Sequence, residues 1–387
     1  MIPIKYNVRS LAVRKATSLA AAFGLALVVF VFAGAQMLGT GIKRVFGRSA
    51  APDVAIVLRK GSDAEMSSTI AEEQVNLVIA QAQQIGAARE PPGLGEIVAV
   101  ILLEKVGAGG PSNVNLRGVP ENARDFRPTV KIVEGRAPKP GTDEVLVGAA
   151  IRGRFQGTEL GQTFELKKNR LATVVGVFTD GGSSFESEVW ADIRSVAQAF
   201  HREGYVSSVR VRLDSASKFD AFKALVESDR RLGLVALSEP VFYEKQSEAT
   251  ETFLTGLGVT IAIFFSFGAM IGATITMNAQ VAGRQREIGT LRALGFSRRS
   301  ILFSFLIESM ILSLGGGLVG AAASLAMRAV QITILNMATF AEIVFRFEPT
   351  PEILVSSIVL AAAMGVLGGF VPALRAARVS PIEAMRG

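Results

Sequence analysis

The sequence predicts a membrane protein, α-helical with four transmembrane helices, that carries a large α+β domain outside the bilayer. Three observations predict it. First, four stretches are long and apolar enough to cross a membrane, which takes about 20 residues: Ala16–Ile42, Thr252–Gly283 and Ile353–Leu374 hold no charged residue, and Ser300–Met327 holds only Glu308. Second, the region between the first two, 43–252, is polar and nearly neutral, with 27 Lys and Arg against 28 Asp and Glu. Third, three short flanks (1–15, 284–299 and 375–386) carry twelve basic residues, opposed only by Glu287 and Glu383. Basic flanks stay in the cytosol, so both termini are expected inside, and the 43–252 region and the 328–351 connection outside. The pI near 9.8 is therefore a topology signal, and no nucleic-acid partner is expected.

In chain order, residues 1–15 form a cytoplasmic segment with Lys5, Arg9, Arg14 and Lys15. The first span, 16–42, contains Ala33-Gly34-Ala35, which would suit signal-peptide cleavage. Its uncharged run, however, is far longer than the roughly 7–15 residues of a signal core, so an anchor is expected. In the external domain, 43–252, Val54–Leu58 and Ile97–Leu103 read as strands with a helix across Ala64–Gln84 between them. Val130–Val133, Glu144–Val147, Gln162–Leu166 and Ala172–Phe178 are short strands between Gly and Pro turns. Ala191–Phe200 and Lys218–Ser228 read as helices, and Ser207–Leu213 and Leu234–Leu237 as strands. The outer blocks together predict a split βαβ sheet with helices on one face, interrupted by a β-rich insertion at about 130–190. Glu239–Thr252 is a polar helical stalk entering the second span, 253–277. The third span covers 301–327, the external loop 328–351, the fourth span 352–371 and the cytoplasmic tail 372–387.

Most chemistry is excluded. The chain has no cysteine and one histidine, His201, which rules out disulfides, thiolate metal sites and cysteine nucleophiles. No GxxxxGK[ST] occurs, so these residues hold no P-loop. Gly107–Gly110 and Gly181–Gly182 read as turns, Ser183 and Ser184 lie outside any GxSxG, and no carboxylate or histidine cluster has metal-ligand spacing. A non-catalytic chain without catalytic residues, metal or cofactor of its own is expected, and Trp190 is expected in the core.

The informative stretch is Arg284–Ser300, RQREIGTLRALGFSRRS, within the 278–300 connection. It holds five arginines and one glutamate. Ile288, Leu291 and Leu294 form an apolar row at helical spacing, Gly295 is a natural stop, and Arg284 falls close to that row. A short cytosolic helix pressed against a partner is expected; attraction of its arginines to anionic membrane lipid is the plainer alternative. In the spans, Gly268/Gly272, Gly316/Gly320 and Gly365/Gly369 are small-xxx-small pairs suited to helix–helix packing. Glu308 is an intramembrane charge expected to pair with Arg298 or Arg299, or to serve conformational coupling.

One span, a large external domain, three further spans and the cytosolic REIGTLRALGFSRRSI together resemble the MacB/FtsX-like (type VII) ABC transporter permeases. The terminal PALRAARVSPIEAMRG resembles the end of the same permease domain, and Glu144–Gly148 followed by Ala172–Phe178 resembles the family's periplasmic domain. The resemblance implies that 278–300 is a coupling helix seated in a groove of an ABC ATPase subunit. Arg286, Glu287, Ile288, Gly289, Leu291, Arg292, Ala293, Leu294 and Gly295 match its motif. It also implies porter-like and sabre-like external subdomains, a dimer with a second permease copy or paralogue, a periplasmic adaptor or carrier, and residence in the bacterial inner membrane. ATP and Mg would be bound by the partner ATPase, supplied in trans. The implied activity is export or extraction of a substrate, driven by motion transmitted to the periplasm (mechanotransmission). The alternative is an FtsX-like regulator that activates a periplasmic cell-wall hydrolase.

Overall fold

A computed structural model describes residues 15–87, 90–107, 109–336 and 339–380. The basic segment before Lys15 and the last seven residues of the tail motif lie outside the described residues. The chain divides into two compact units, one of residues 15–41, 252–330 and 346–380, the other of 42–251 and 331–345.

Among the described residues, four helices are long and apolar enough to cross a membrane. Helix α1 is Lys15–Ser49. Counting helices in chain order, α6 is Glu239–Ala282, α7 is the short Gln285–Ala293, α8 is Arg298–Ser324 and α9 is Pro351–Arg378. At 44 residues, α6 is about 66 Å long, twice the hydrocarbon thickness of a bilayer. The polar stretch after Glu239 and the apolar stretch after Phe253 thus belong to one helix. Within the membrane unit, α8 and α9 meet through small residues. A Cβ on Gly365 or Gly369 would strike Ser313 or Ser309, and one on Gly316 or Gly320 the backbone of Ala22 or Ala26 in α1. Gly268 and Gly272 differ: a Cβ there meets nothing within 4 Å.

The fourth helix does not stop at residue 371. It continues through Pro372 to Arg378, so the tail's PALRAAR is helical. Proline lacks the N–H that would bind the carbonyl four residues back, here that of Gly368. Thr274 Oγ1 from α6 donates to that carbonyl instead, at 2.9 Å, which removes the cost of an orphaned acceptor in hydrocarbon. A second correction concerns the 328–351 loop. It contains a β-hairpin, β13 (Gln331–Leu335) with β14 (Glu342–Arg346). The hairpin is fastened to the extramembranous unit by Lys105 Nζ on Glu342 Oε1 at 2.5 Å and Val344 N–H to Ser187 Oγ at 3.0 Å.

That unit is built on a ten-stranded sheet. Its strands are β1 (Val54–Arg59), β3 (Gly93–Glu104), β4 (Pro111–Val119), β5 (Lys131–Gly135), β6 (Glu144–Gly148), β7 (Thr163–Lys167), β8 (Arg170–Thr179), β9 (Glu188–Asp192), β11 (Ser208–Arg212) and β12 (Leu234–Ser238). The order is β12-β1-β11-β3-β4-β9-β6-β8-β5, with β7 on β8. The outer blocks supply β12, β1, β11 and β3, as the split sheet requires. The expected insertion at about 130–190 supplies β5, β6, β7 and β8 of the same sheet, and β3 spans both parts: Gly93–Glu96 pair with β11 and Ile97–Glu104 with β4. The helix expected across Ala64–Gln84 begins only at Glu72. Three helices, α2 (Glu72–Gln84), α4 (Ile193–Phe200) and α5 (Phe219–Ser228), cover the sheet through Val75, Val78, Val196, Phe222 and Val226, which are all buried; α3 is the short Ala123–Phe126, and β2 (Ile70–Ala71) pairs with β10 (Tyr205–Val206) apart from the main sheet. His201 caps α4 in the left-handed region.

Candidate functional site

The short helix α7 has two faces. Ile288 is buried and Leu291 half-buried against Met277, Val281, Ile301, Phe305 and Ala376 of the three neighbouring helices. The other face is open: Arg286, Glu287, Thr290, Ala293 and Gly295 are exposed, and Leu294 is 72% exposed. Of the nine residues that matched the coupling motif, Ile288 and Gly289 turn inward, Leu291 and Arg292 are intermediate, and the other five face out. The apolar row is therefore divided, with Ile288 and Leu291 holding the helix and Leu294 left for whatever meets it.

The helix ends in a Schellman motif. Phe296 N–H reaches Leu291 O and Gly295 N–H reaches Arg292 O, both at 3.1 Å, while Phe296 and Leu291 pack on the same apolar cluster. Gly295 sits at φ +93°, where a side chain is strained. Gly295→Ala should therefore destabilise this turn by about 1 kcal/mol. A small fall in thermal midpoint, with loss of the ordered 294–296 amides in hydrogen exchange, would show it.

Arg284 explains the imperfect amphipathicity. Its guanidinium is buried, 3.0 Å from Glu308 Oε2 of α8 and 3.1 Å from Glu287 Oε2, and lies 5.2 Å from the Phe305 ring centroid. Glu308 thus pairs with Arg284. Arg298 and Arg299, the expected partners, are exposed. The signal was available in the sequence: an arginine out of place on an apolar row, followed by a span with a single carboxylate. One ion pair consequently ties α7 to the middle of the packed helices, at a depth where charge is costly unless matched.

A second cluster was not foreseen. Across four adjacent strands, Arg210 (β11), Glu96 (β3), Arg117 (β4) and Glu188 (β9) alternate in sign beneath the sheet. Arg117 grips Glu188 with two bonds, at 2.7 and 2.8 Å, and reaches Glu96 at 2.6 Å and Glu65 at 3.1 Å. Arg210 binds Glu96 at 2.8 Å, Glu65 at 2.9 Å, and Glu239, the first residue of α6. Arg127 joins Glu239 at 2.9 Å. The Phe185 ring lies among the three guanidinium groups, 4.4 to 5.9 Å from its centroid. Four carboxylates face three guanidinium groups, and neutral donors help to hold the excess charge: Ser208 Oγ on Glu65, Ala51 N–H on Glu239, and Trp190 Nε1–H on Glu188. Burial raises the Glu65 carboxyl, but Arg117 and Arg210 overcome that and hold it at about 2. Glu96 is likewise held below the ordinary carboxylate range against its burial, by Arg210, Arg117 and Arg127. These charges come from strands and loops far apart in the sequence, so only the strand pairing reveals the cluster.

Comparison with known proteins places the chain. The FtsX-like permease C-terminal family matches residues 259–381, the part that holds α7, Arg284 and Glu308. The MacB-like periplasmic core domain family matches residues 17–229, more than half of the chain. This chain belongs to the MacB/FtsX-like ABC transporter permeases. Among relatives of this family, the macrolide export ATP-binding/permease protein MacB of Photorhabdus laumondii is 30% identical over 232 residues, 56% of this chain and 34% of that protein. The protein of the same name from Neisseria gonorrhoeae is 25% identical over 289 residues, 70% of this chain and 43% of that one. The match thus spans less than half the length of these relatives. Among solved structures, the extracellular domain of the noncanonic ABC-type transporter YknZ from Gram-positive bacteria is similar over 48% of this chain and 99% of its own, with 15% identity and a TM-score of 0.36. The periplasmic region of MacB from Actinobacillus actinomycetemcomitans covers 51% and 94%, with the same identity and score. As a MacB/FtsX-like permease, the chain combines four membrane helices with a mixed α/β periplasmic domain. Among the described residues no group of His, Asp and Glu could hold a metal ion.

Proposed function

We propose that this chain is the membrane subunit of an ATP-driven export or extraction machine whose ATPase lies outside these 387 residues. The observation that carries this reading is the division of α7. Ile288, Leu291 and Arg284 lock it to the spans, while Arg286, Glu287, Ala293, Leu294 and Gly295 form an open charged and apolar surface at its end. A partner closing around ATP and Mg would displace α7 as a unit. The Arg284–Glu308 pair would pass that displacement to α8, and stiff helices, α6 above all, would carry it to the periplasmic domain. This is a two-state shift of packed elements, and no substrate path through the bilayer is required.

The reading places the protein in a bacterial inner membrane with both termini in the cytosol, as the basic flanks suggest. It also asks for a second copy or a paralogue. Gly268 and Gly272, with open space where a Cβ would stand, offer the face on which such a helix would pack. A periplasmic adaptor or carrier would complete the path for the substrate.

Co-purification in detergent, wild type against Leu294→Asp, tests the core of this. Mass spectrometry should find an ABC ATPase with wild type and lose it, at least tenfold, with the variant. If nucleotide-supported crosslinking recovers no ATPase with wild type, the reading fails and lipid attraction is left to explain the arginines. Companions that are peptidoglycan hydrolases in place of an adaptor would move the output from transport to regulation.

A further inference from the structure

Glu239 is fully buried and opens the 44-residue α6. One of its oxygens takes Arg210 and Arg127; the other takes the N–H of Ala51, two residues past the end of α1. A single carboxylate thus gathers the ends of both long helices that lead out of the periplasmic unit. If α6 shifts along its axis, that carboxylate moves, and buried guanidinium groups left without it would be costly. Arg210 would keep Glu96 and Glu65. Glu239 is the only carboxylate to which Arg127 is hydrogen-bonded among the described residues.

A vacant bond answers this. Glu96 Oε1 and Arg127 Nε are both buried and both lack a hydrogen-bond partner, and they face each other at 3.8 Å. Closing them needs a movement of roughly 1 Å. Two unsatisfied, oppositely charged atoms in one buried cluster are an exception to ordinary polar satisfaction. Here they mark the second seat of one side chain. Arg127 lies just past the short helix Ala123–Phe126, with its guanidinium carbon 4.4 Å from the Phe185 ring centroid, a face over which it can slide without losing the cation–π contact.

We infer that Arg127 is an exchange arm: it holds Glu239 while α6 is seated and passes to Glu96 Oε1 when α6 withdraws, so that the buried cluster releases the helix without stranding a charge. Its purpose rests on the proposed transmission of motion through α6. Its chemistry does not, and it is tested on the full chain alone in nanodiscs, with no ATPase present.

The test is a set of thermal unfolding cycles followed through Trp190, the one tryptophan of the chain. If Arg127 can change seats, Glu239→Gln should lower the midpoint by the same few degrees whether residue 127 is arginine or, in Arg127→Met, methionine. In a Glu96→Gln background the equality should break, with the larger loss where Arg127 is present and has no second carboxylate. The Arg210 contacts are common to both arms and cancel. A larger loss from Glu239→Gln with Arg127 than with Met in the native Glu96 background overturns the exchange, since Arg127 would then be fixed to Glu239. So does equality that persists after Glu96→Gln. Should Glu239→Gln not fold, Glu239→Asp, which keeps the charge and withdraws it by one methylene, runs through the same cycles. Failure here leaves recruitment of an ATPase by α7 untouched. Conversely, absence of an ATPase leaves the exchange measurable.

Discussion

Arg210→Met should cost the periplasmic unit about 3–5 kcal/mol, the loss measured when one partner is removed from a buried ion pair. For a unit of this size that lowers the thermal midpoint on the order of 10 °C. The magnitude follows from where the charge lies. Arg210 is 0% exposed, as are Glu96 and Glu239, which it contacts, and Glu65 is 5% exposed. Removing the guanidinium leaves carboxylates in a medium that cannot solvate them. The contrasting control is Arg231→Met: that residue also pairs with a carboxylate, Asp229, but its side chain is 85% exposed, and the change should leave the midpoint where it is. Unfolding followed by Trp190 emission reads both, because the indole bonds Glu188 and packs edge-on against Phe185. A midpoint for Arg210→Met within 2 °C or so of wild type would mean the cluster is hydrated and worth little.

Acid should act on the same cluster, and the sign is fixed by the direction of the shift. The Glu65 carboxyl is held at about 2 in the folded chain, below its ordinary 4.5. The stability it contributes is therefore fully present above pH 4.5 and is lost as pH falls through 2. Wild type should keep its Trp190 signal at pH 4 and weaken below it, while Arg210→Met, which no longer depresses these carboxyls as strongly, should weaken at higher pH.

The contrast between the two clusters shows what a sequence discloses. The four long apolar helices follow from composition, because hydrocarbon admits few alternatives. The position of α7 follows from a row of three apolar residues, a glycine and five arginines. The partner of Glu308 escaped because proximity in sequence favoured Arg298 and Arg299, whereas the helix that begins at Arg298 turns both of them to the surface and Arg284, just ahead of α7, turns inward. The ionic cluster escaped for another reason. Glu96, Arg117, Glu188 and Arg210 come from four strands that lie far apart in the sequence; only the register makes them neighbours. The strand Pro111–Val119, which supplies Arg117 and joins the two halves of the sheet, was itself missed, since its Asn and Gly dilute the apolar alternation. The 331–346 hairpin was hidden by its brevity.

Arg284→Met should separate the two roles that the Arg284–Glu308 pair can have. The single variant takes the guanidinium from Glu308, which is 2% exposed, and should destabilise the membrane unit by about 3 kcal/mol or more, as a buried charge loses its match. Glu308→Gln should cost less, because an amide can still accept from Arg284. The double variant Arg284→Met/Glu308→Met removes both charges and, on the same reasoning, should recover thermal stability to within about 1 kcal/mol of wild type, since packed apolar groups often replace such pairs without penalty. Stability regained says nothing yet about transmission. If α7 meets an ATPase as proposed, the double variant in a complex reconstituted with that ATPase should still bind it through Leu294 yet lose most of the stimulation of ATP turnover. The directional tie between α7 and α8 would have been exchanged for apolar contact that slips. If the double variant regains both stability and stimulation, the pair only holds α7 in place, and transmission has to run through the packing of Ile288 and Leu291 on Ile301 and Phe305.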